Sequence, residues 1–227
     1  MDCQRVKTTI LTIFLESPTV YLARNSMSNA AFKKPDYYKT ACYFEASLTL
    51  VALLLGWLAG INPFANLYFS ESALVYGVLG TIPLFLMFLA LESLQKPSVV
   101  TIKNMLLNTL GSNLHRYDWS DLLVLAAIAG ISEELLFRGV LQPLLESFLG
   151  LTAGLVVSNL VFGLVHAVTP LYAVLATLVG IYLGLSLDYG GDRNLLVPIL
   201  IHGLYDFLAF VALMRLYRAS LNDSAKN

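Results

Sequence analysis

Uncharged apolar stretches recur along this chain at about the length of a membrane crossing. Ala46 to Ser70 runs 25 residues without a charge. The apolar part of this region, from about Tyr43 to Ile61, predicts a first span that Asn62-Pro63 ends. Ser72 to Leu91 gives 20 uncharged residues between Glu71 and Glu92, a second span with a kink expected at Pro83. From about Lys96 to Asp118 the pattern is mixed, with Met105, Leu106, Leu107 and Leu110 among polar residues, and an interfacial helix or a loop is expected. Trp119 to Leu149 is apolar again but carries Asp121, Glu133, Glu134, Arg138 and Glu146, and Gly139 and Pro143 are expected to break a helix of this length. Ser147 to Leu187 then runs 41 residues without a formal charge, too long for one crossing, and Thr169-Pro170 is the natural turn dividing it. A last span, about Leu195 to Met214, contains His202 and Asp206. Six spans result.

Composition agrees with that count. Of the 227 residues 57% are hydrophobic and 13% charged, with a mean hydropathy of +0.71. Soluble domains carry about 25% charged residues, so this is a membrane protein. A net charge of −1, from 14 Lys+Arg against 15 Asp+Glu, leaves no basic stripe for phosphates and argues against a nucleic-acid partner. Cys3 and Cys42 offer no metal knuckle. The basic residues cluster before the first span, between the second and third (Lys96, Lys103, Arg116) and after the sixth (Arg215, Arg218, Lys226), with Arg193 alone on the other side. Both termini are therefore predicted to be cytoplasmic. Thr8 to Ala23, interrupted by Glu16 and Pro18, is too broken to span. An interfacial helix is expected there, a signal peptide or a start at Met27 being the other readings.

Each Glu or Arg at mid-bilayer costs roughly 2.5–3.5 kcal/mol, so Glu133, Glu134 and Arg138 together cost on the order of 8 kcal/mol before any pairing. Glu134 and Arg138 are i,i+4 on a helix and share a face, so an ion pair recovers part of this. A cluster that merely locks helix packing is the competing reading for that pair. Glu133, ~100° round the helix, needs its own partner and suits a general base. His166 lies in the charge-free stretch, and His202 with Asp206 repeats the i,i+4 spacing. Asn159, seven residues before His166, either lines the same cavity or makes an interhelical hydrogen bond. Gly180 and Gly184 form a GxxxG suited to close packing, and His115 sits in a polar loop where it is expected to be solvated.

Glu133-Glu134-Leu-Leu-Phe-Arg138, Phe162-Gly-Leu-Val-His166 and His202-Gly-Leu-Tyr-Asp206, in that order and in separate spans, resemble the EExxxR, FxxxH, HxxxN/D signature of the CAAX-processing and bacteriocin-processing (CPBP, or Abi) intramembrane endopeptidases. The resemblance covers about Trp119 to Met214. It implies an all-α polytopic bundle with an inward-facing polar site, and residues 119–214 as the catalytic core. Residues 1–42 would be a cytoplasmic arm, 43–118 two accessory spans with an interfacial segment, and 215–227 a cytoplasmic tail. The implied activity is peptide-bond hydrolysis at or within the bilayer. Glu133 would be the base for a water with His166 as its partner, His202 and Asp206 would hold the oxyanion or orient the water, and Glu134 and Arg138 would build the site. Phe162 and Asn159 would line it. Many members carry Asn where this chain has Asp206, and an Asp donates a hydrogen bond only when protonated. The family has also been described as metalloprotease, and Glu133, His166 and His202 would then be the Zn²⁺ ligands. A metal-free glutamate mechanism is the reading adopted, since no HExxH-type ligand pair exists. The implied partners are the bilayer and a peptide or lipidated, membrane-associated protein substrate, with residence in a prokaryotic inner membrane. A proton-relay or transport protein, or a non-catalytic immunity or scaffold protein retaining the motifs, are the alternatives. A transporter would show paired internal repeats, and none is found.

Overall fold

The computed structural model describes residues 36–224, and the segment Thr8 to Ala23 expected at the interface lies outside them. The described elements are all helices. Helix α1, Tyr37–Ala59, ends ahead of Asn62-Pro63 through Gly60, whose φ of 69° lies in the left-handed region a glycine reaches without penalty. Helix α2, Glu71–Ser93, starts at Ser70, whose hydroxyl accepts from the Ala73 N–H at 3.1 Å, and runs on through Pro83. The mixed segment that followed as helix or loop is helix: α3, Pro97–Leu106, continued by a π turn, Leu107–Gly111, and a last turn, Ser112–Leu114.

Helix α4, Trp119–Leu136, passes through a second π turn, Phe137–Leu141, into α5, Gln142–Leu149. The break expected at Gly139 and Pro143 does not occur. The wider π turn absorbs a proline that has no N–H to give, so the chain stays helical from Trp119 to Leu149. Gly139 serves a different purpose, because a Cβ there would lie 2.6 Å from the Pro63 carbonyl oxygen of the α1–α2 loop. Gly150, at φ 82°, reverses the chain into α6, Leu151–Val165. Thr169 then caps α7, Pro170–Ser186, accepting from the Tyr172 N–H at 3.1 Å, so the turn expected at Thr169-Pro170 is present. At 15 and 17 residues, α6 and α7 make a short antiparallel hairpin whose tip is His166 to Thr169. Helix α8, Leu196–Ser224, extends well past Met214.

By length and composition α1, α2 and α8 suffice to cross a membrane, and α6 and α7 are shorter apolar helices. The third expected span is α4–α5, whose carboxylates set it apart. Trp57, Leu58, Val78, Leu79 and Leu164 are exposed, as suits side chains that meet lipid. The chain is an integral membrane protein built as a helical bundle.

Helix α4 lies between α1 and α8, with α2 packed on α8 and the α6–α7 hairpin on α5 and the π turn. In lipid there is little hydrophobic drive to bring helices together, so close contact depends on small residues. Gly77 and Gly80 of α2 seat Leu200 and Ile201 of α8 where a Cβ would clash. A glycine pair sets the α4–α8 crossing: a Cβ on Gly130 would lie 2.8 Å from the Gly203 nitrogen. In the loop between α7 and α8, Arg193 grips the half-buried Glu146 of α5 in a bidentate pair at 2.6 and 3.0 Å, and hydrogen bonding to Glu146 raises the Arg193 pKa above its ordinary value.

Candidate active site

Arg138 is the centre from which the polar interior is built. Its guanidinium is almost fully buried and meets three acceptors on three helices: Glu134 Oε1 at 2.8 Å, Asn159 Oδ1 at 2.9 Å and the Gly180 carbonyl at 2.8 Å. Its charge also stands 4.7 Å from the centroid of the Phe162 ring, the face a cation prefers. The i,i+4 pair expected from the sequence therefore exists, even though Arg138 itself lies in the π turn. Asn159 makes the interhelical hydrogen bond. Gly180 and Gly184 pack closely, as the GxxxG pattern suggests, and Gly180 adds its carbonyl to the Arg138 site.

Glu134 receives a second donor. His202 Nδ1 lies 2.7 Å from the same Oε1, and because a carboxylate only accepts, Nδ1 carries the hydrogen. This link across α4 and α8 was not foreseen from the spacing. The Gly130–Gly203 contact makes it possible, since Gly130 is one turn before Glu134 and Gly203 is next to His202. The other edge of the ring faces Asp206, with Nε2 3.5 Å from Oδ2.

Glu133, on the adjacent face of α4, is buried, and its Oε2 has no hydrogen-bond partner among the described residues. His166 Nε2 lies 3.5 Å from it. His166 terminates α6, where Nδ1 donates to the Phe162 carbonyl at 2.8 Å. That bond fixes the neutral ring with its Nε2 lone pair towards Glu133. Phe162 holds the imidazoles in place, stacked on His166 at 4.3 Å between ring centroids and edge-on to His202 at 6.2 Å.

Glu133, Glu134, Arg138, His166, His202, Asp206, Phe162 and Asn159 thus gather from α4, the π turn, α6 and α8, with α7 supplying a carbonyl. Residues 115–208 match the family model described as Type II CAAX prenyl endopeptidase Rce1-like. This segment is similar to the Rce1-like domain. It begins in the loop before α4 and ends within α8, so the whole cluster lies inside it, and the resemblance drawn from the three motifs agrees with it. No curated protein and no solved structure matches the chain.

Two residues facing the Rce1-like site escaped the sequence reading. Tyr172, near the start of α7, stands close enough to Asp206 and Glu133 to feel their charge. Glu45, on α1 and outside the Rce1-like segment, is half-buried with its carboxyl in hydrogen-bonding reach of Glu133 and near Asp206 and His202. The signal for Glu45 was an acidic residue two positions inside the expected first span, just before the uncharged run that begins at Ala46. His115 lies outside the cluster. It is not simply solvated, because Nδ1 bonds the Gly111 carbonyl at 3.0 Å and the ring packs on Tyr217. An apolar groove of about 400 Å³ between α2 and α8, lined by Val78, Ile82, Leu204 and Leu208 among others, opens on the face of α8 away from His202.

A metal fits this geometry poorly. Among the described residues no three His, Cys, Asp or Glu side chains are grouped to hold an ion. Both ring nitrogens of His202 are also turned to carboxylates. No step below runs through zinc.

Proposed function

We propose that this chain is an intramembrane endopeptidase in which Glu133 and His166 activate a water against a peptide carbonyl. The observation that carries the reading is the 3.5 Å between Glu133 Oε2 and His166 Nε2. Both atoms are acceptors, which is why they do not bond each other. A single water lying beside them donates one hydrogen to each over ordinary lengths of about 2.8 Å and turns its lone pair outward. In the step, the water oxygen bonds to the carbonyl carbon while its proton passes to Glu133. The tetrahedral intermediate then collapses, the C–N bond breaks, and the proton goes from Glu133 to the leaving amine.

His202 supplies the electrophilic side. With Nδ1–H committed to Glu134, the doubly protonated ring carries its second hydrogen on Nε2 beside Asp206, and that N–H faces the position where the carbonyl oxygen gains charge and stabilises the oxyanion. Glu134, Arg138 and Asn159 hold the imidazole at a fixed angle, and Phe162 aligns both rings. The Rce1-like match and the apolar helices support a peptide or lipid-modified protein as substrate, met at the membrane surface. The basic-residue pattern supports termini in the cytoplasm, which puts the His166 tip of the α6–α7 hairpin toward the cytoplasmic leaflet.

The test is cleavage of a peptide library by the purified protein in detergent or vesicles, wild type against Glu133→Ala, with and without chelator. Cleavage that needs Glu133 and survives chelation is expected. Loss on chelation would favour zinc, and full activity in Glu133→Ala would remove the base.

A further inference from the structure

The π turn that carries Arg138 is closed by Gln142, whose N–H donates to the Phe137 carbonyl five residues back. An α-helix makes this bond four residues back, so the turn holds one residue more than the helices it joins. Such turns are rare, and this one persists only while the chain on both sides of it is held. On one side Arg138 grips Glu134, Asn159 and the Gly180 carbonyl. The other side has a clasp of its own. Gln142 is buried, and its Nε2 donates to Glu146 Oε1 at 2.9 Å. Arg193, 47 residues further along the chain, takes both oxygens of the same carboxylate, a fork that fixes direction as well as distance. Helices α5 and α6 also touch backbone to backbone here, since a Cβ on Gly154 would overlap the Glu146 nitrogen. Gln142 therefore closes the π turn with its backbone and ties it to Glu146 and Arg193 with its side chain.

We infer that Gln142, Glu146 and Arg193 form a lock on the π turn and are thereby positioning residues for Arg138 in the proposed reaction. This rests on the reading of the site in which Glu134 and Arg138 hold His202. None of the three touches a reacting atom. With the lock closed, α5 keeps the rotation that the extra residue imposes. With it open, the turn falls back towards α geometry, where one residue is worth ~100° of rotation, and the guanidinium is drawn off its three acceptors. Glu134 then loses its partner, and the His202 ring loses the fixed oxygen that orients it. A loop outside the three motifs thus takes part in setting the site.

The test compares Gln142→Met, Arg193→Met, the double variant and Asp188→Ala with wild type, by peptide cleavage and by amide hydrogen exchange across residues 137–142 in detergent. Met keeps an unbranched stem and gives no hydrogen bond to Glu146. Asp188 meets Arg193 from an exposed position at 3.3 Å, so Asp188→Ala leaves the grip on Glu146 intact and should behave as wild type. Each Met variant is expected to lower kcat by ~10–100-fold with little change in KM, the scale of a misplaced catalytic group, and to speed exchange at residues 137–142. The double variant should be no slower than the slower single, because both open one lock. A purely structural role would lower the unfolding temperature and leave both kcat of the folded fraction and this local exchange unchanged. Unchanged exchange in Gln142→Met would overturn the lock. Faster exchange with wild-type kcat, or losses that multiply in the double variant, would overturn its part in positioning. Should Arg193→Met fail to fold, Gln142→Met decides alone, since Arg193 still holds Glu146 there. Exchange is read whether or not a peptide is cut, so an active Glu133→Gln or an inert wild type would sink the reading of the reaction, a separate outcome from the fate of the lock.

Discussion

His202 Nδ1 donates to Glu134 Oε1 across 2.7 Å, although the two residues stand 68 positions apart in the chain. Glu134 thereby accepts from both Arg138 and His202, so the frame of the site and its proposed electrophilic side share one oxygen. By spacing alone His202 pairs only with Asp206, and on that basis its removal would leave folding near normal. The shared oxygen changes that expectation. His202→Ala should cut turnover by ~10²-fold or more, the size of a lost oxyanion donor, and also lower the unfolding temperature in detergent. An undisturbed unfolding temperature would mean that the contact with Glu134 contributes nothing to the fold.

Arg138→Ala should be the most damaging change to stability. It leaves Glu134, the Asn159 carbonyl and the Gly180 carbonyl without the donor they share, and breaking a buried ion pair costs ~3–5 kcal/mol. Arg138→Lys should not rescue it, because a compact ammonium on a flexible stem does not reproduce the planar fork that spans three helices. Thermal unfolding of both variants checks this. A Lys variant as stable as wild type would show that charge alone is what the site requires.

Glu133→Gln keeps the shape and removes the proton acceptor. The protein should insert and fold normally while peptide cleavage disappears, since positioned proton transfer is worth ~10²–10⁴-fold. Activity above about a tenth of wild type would exclude Glu133 as the base.

Gly130→Ala tests the helix crossing. A Cβ there would meet the Gly203 nitrogen at 2.8 Å and its Cα at 2.9 Å, so α4 and α8 must part. Glu134 and His202 then separate together, and the expected result is a loss of turnover with the individual helices intact by circular dichroism. Wild-type turnover in this variant would show that the Glu134–His202 distance is not critical.

The apolar helices, the turn at Thr169-Pro170 and the Glu134–Arg138 pair were legible because each rests on a local rule: apolar length, proline geometry, or the four-residue repeat of a helix. What was not legible is non-local. Pairing His202 with Glu134 depends on where α4 and α8 cross, and a single Gly130 gives no hint that Gly203 will lie against it. Glu45 was missed for a related reason, since an acidic residue near the edge of an apolar stretch reads as a boundary until the helix is seen to begin eight residues earlier, at Tyr37. The helix break expected at Gly139 failed because a π turn, which sequence periodicity does not signal, carries the chain through.

The short α6–α7 hairpin makes the site sensitive to the lipid around it. At ~1.5 Å per residue, helices of 15 and 17 residues reach roughly 22–26 Å, against a hydrocarbon core of about 30 Å. The hairpin is anchored by its neighbours, so the mismatch falls on the bilayer, which must thin over the tip bearing His166. Acyl-chain length then becomes a control on hydrolysis. In vesicles of shorter-chain lipids the thinned leaflet brings headgroup water to Glu133 and His166, and in longer-chain lipids it withdraws. Cleavage rates measured across such a series should fall as the membrane thickens, and a flat response would show that water reaches the site through the protein rather than past its rim.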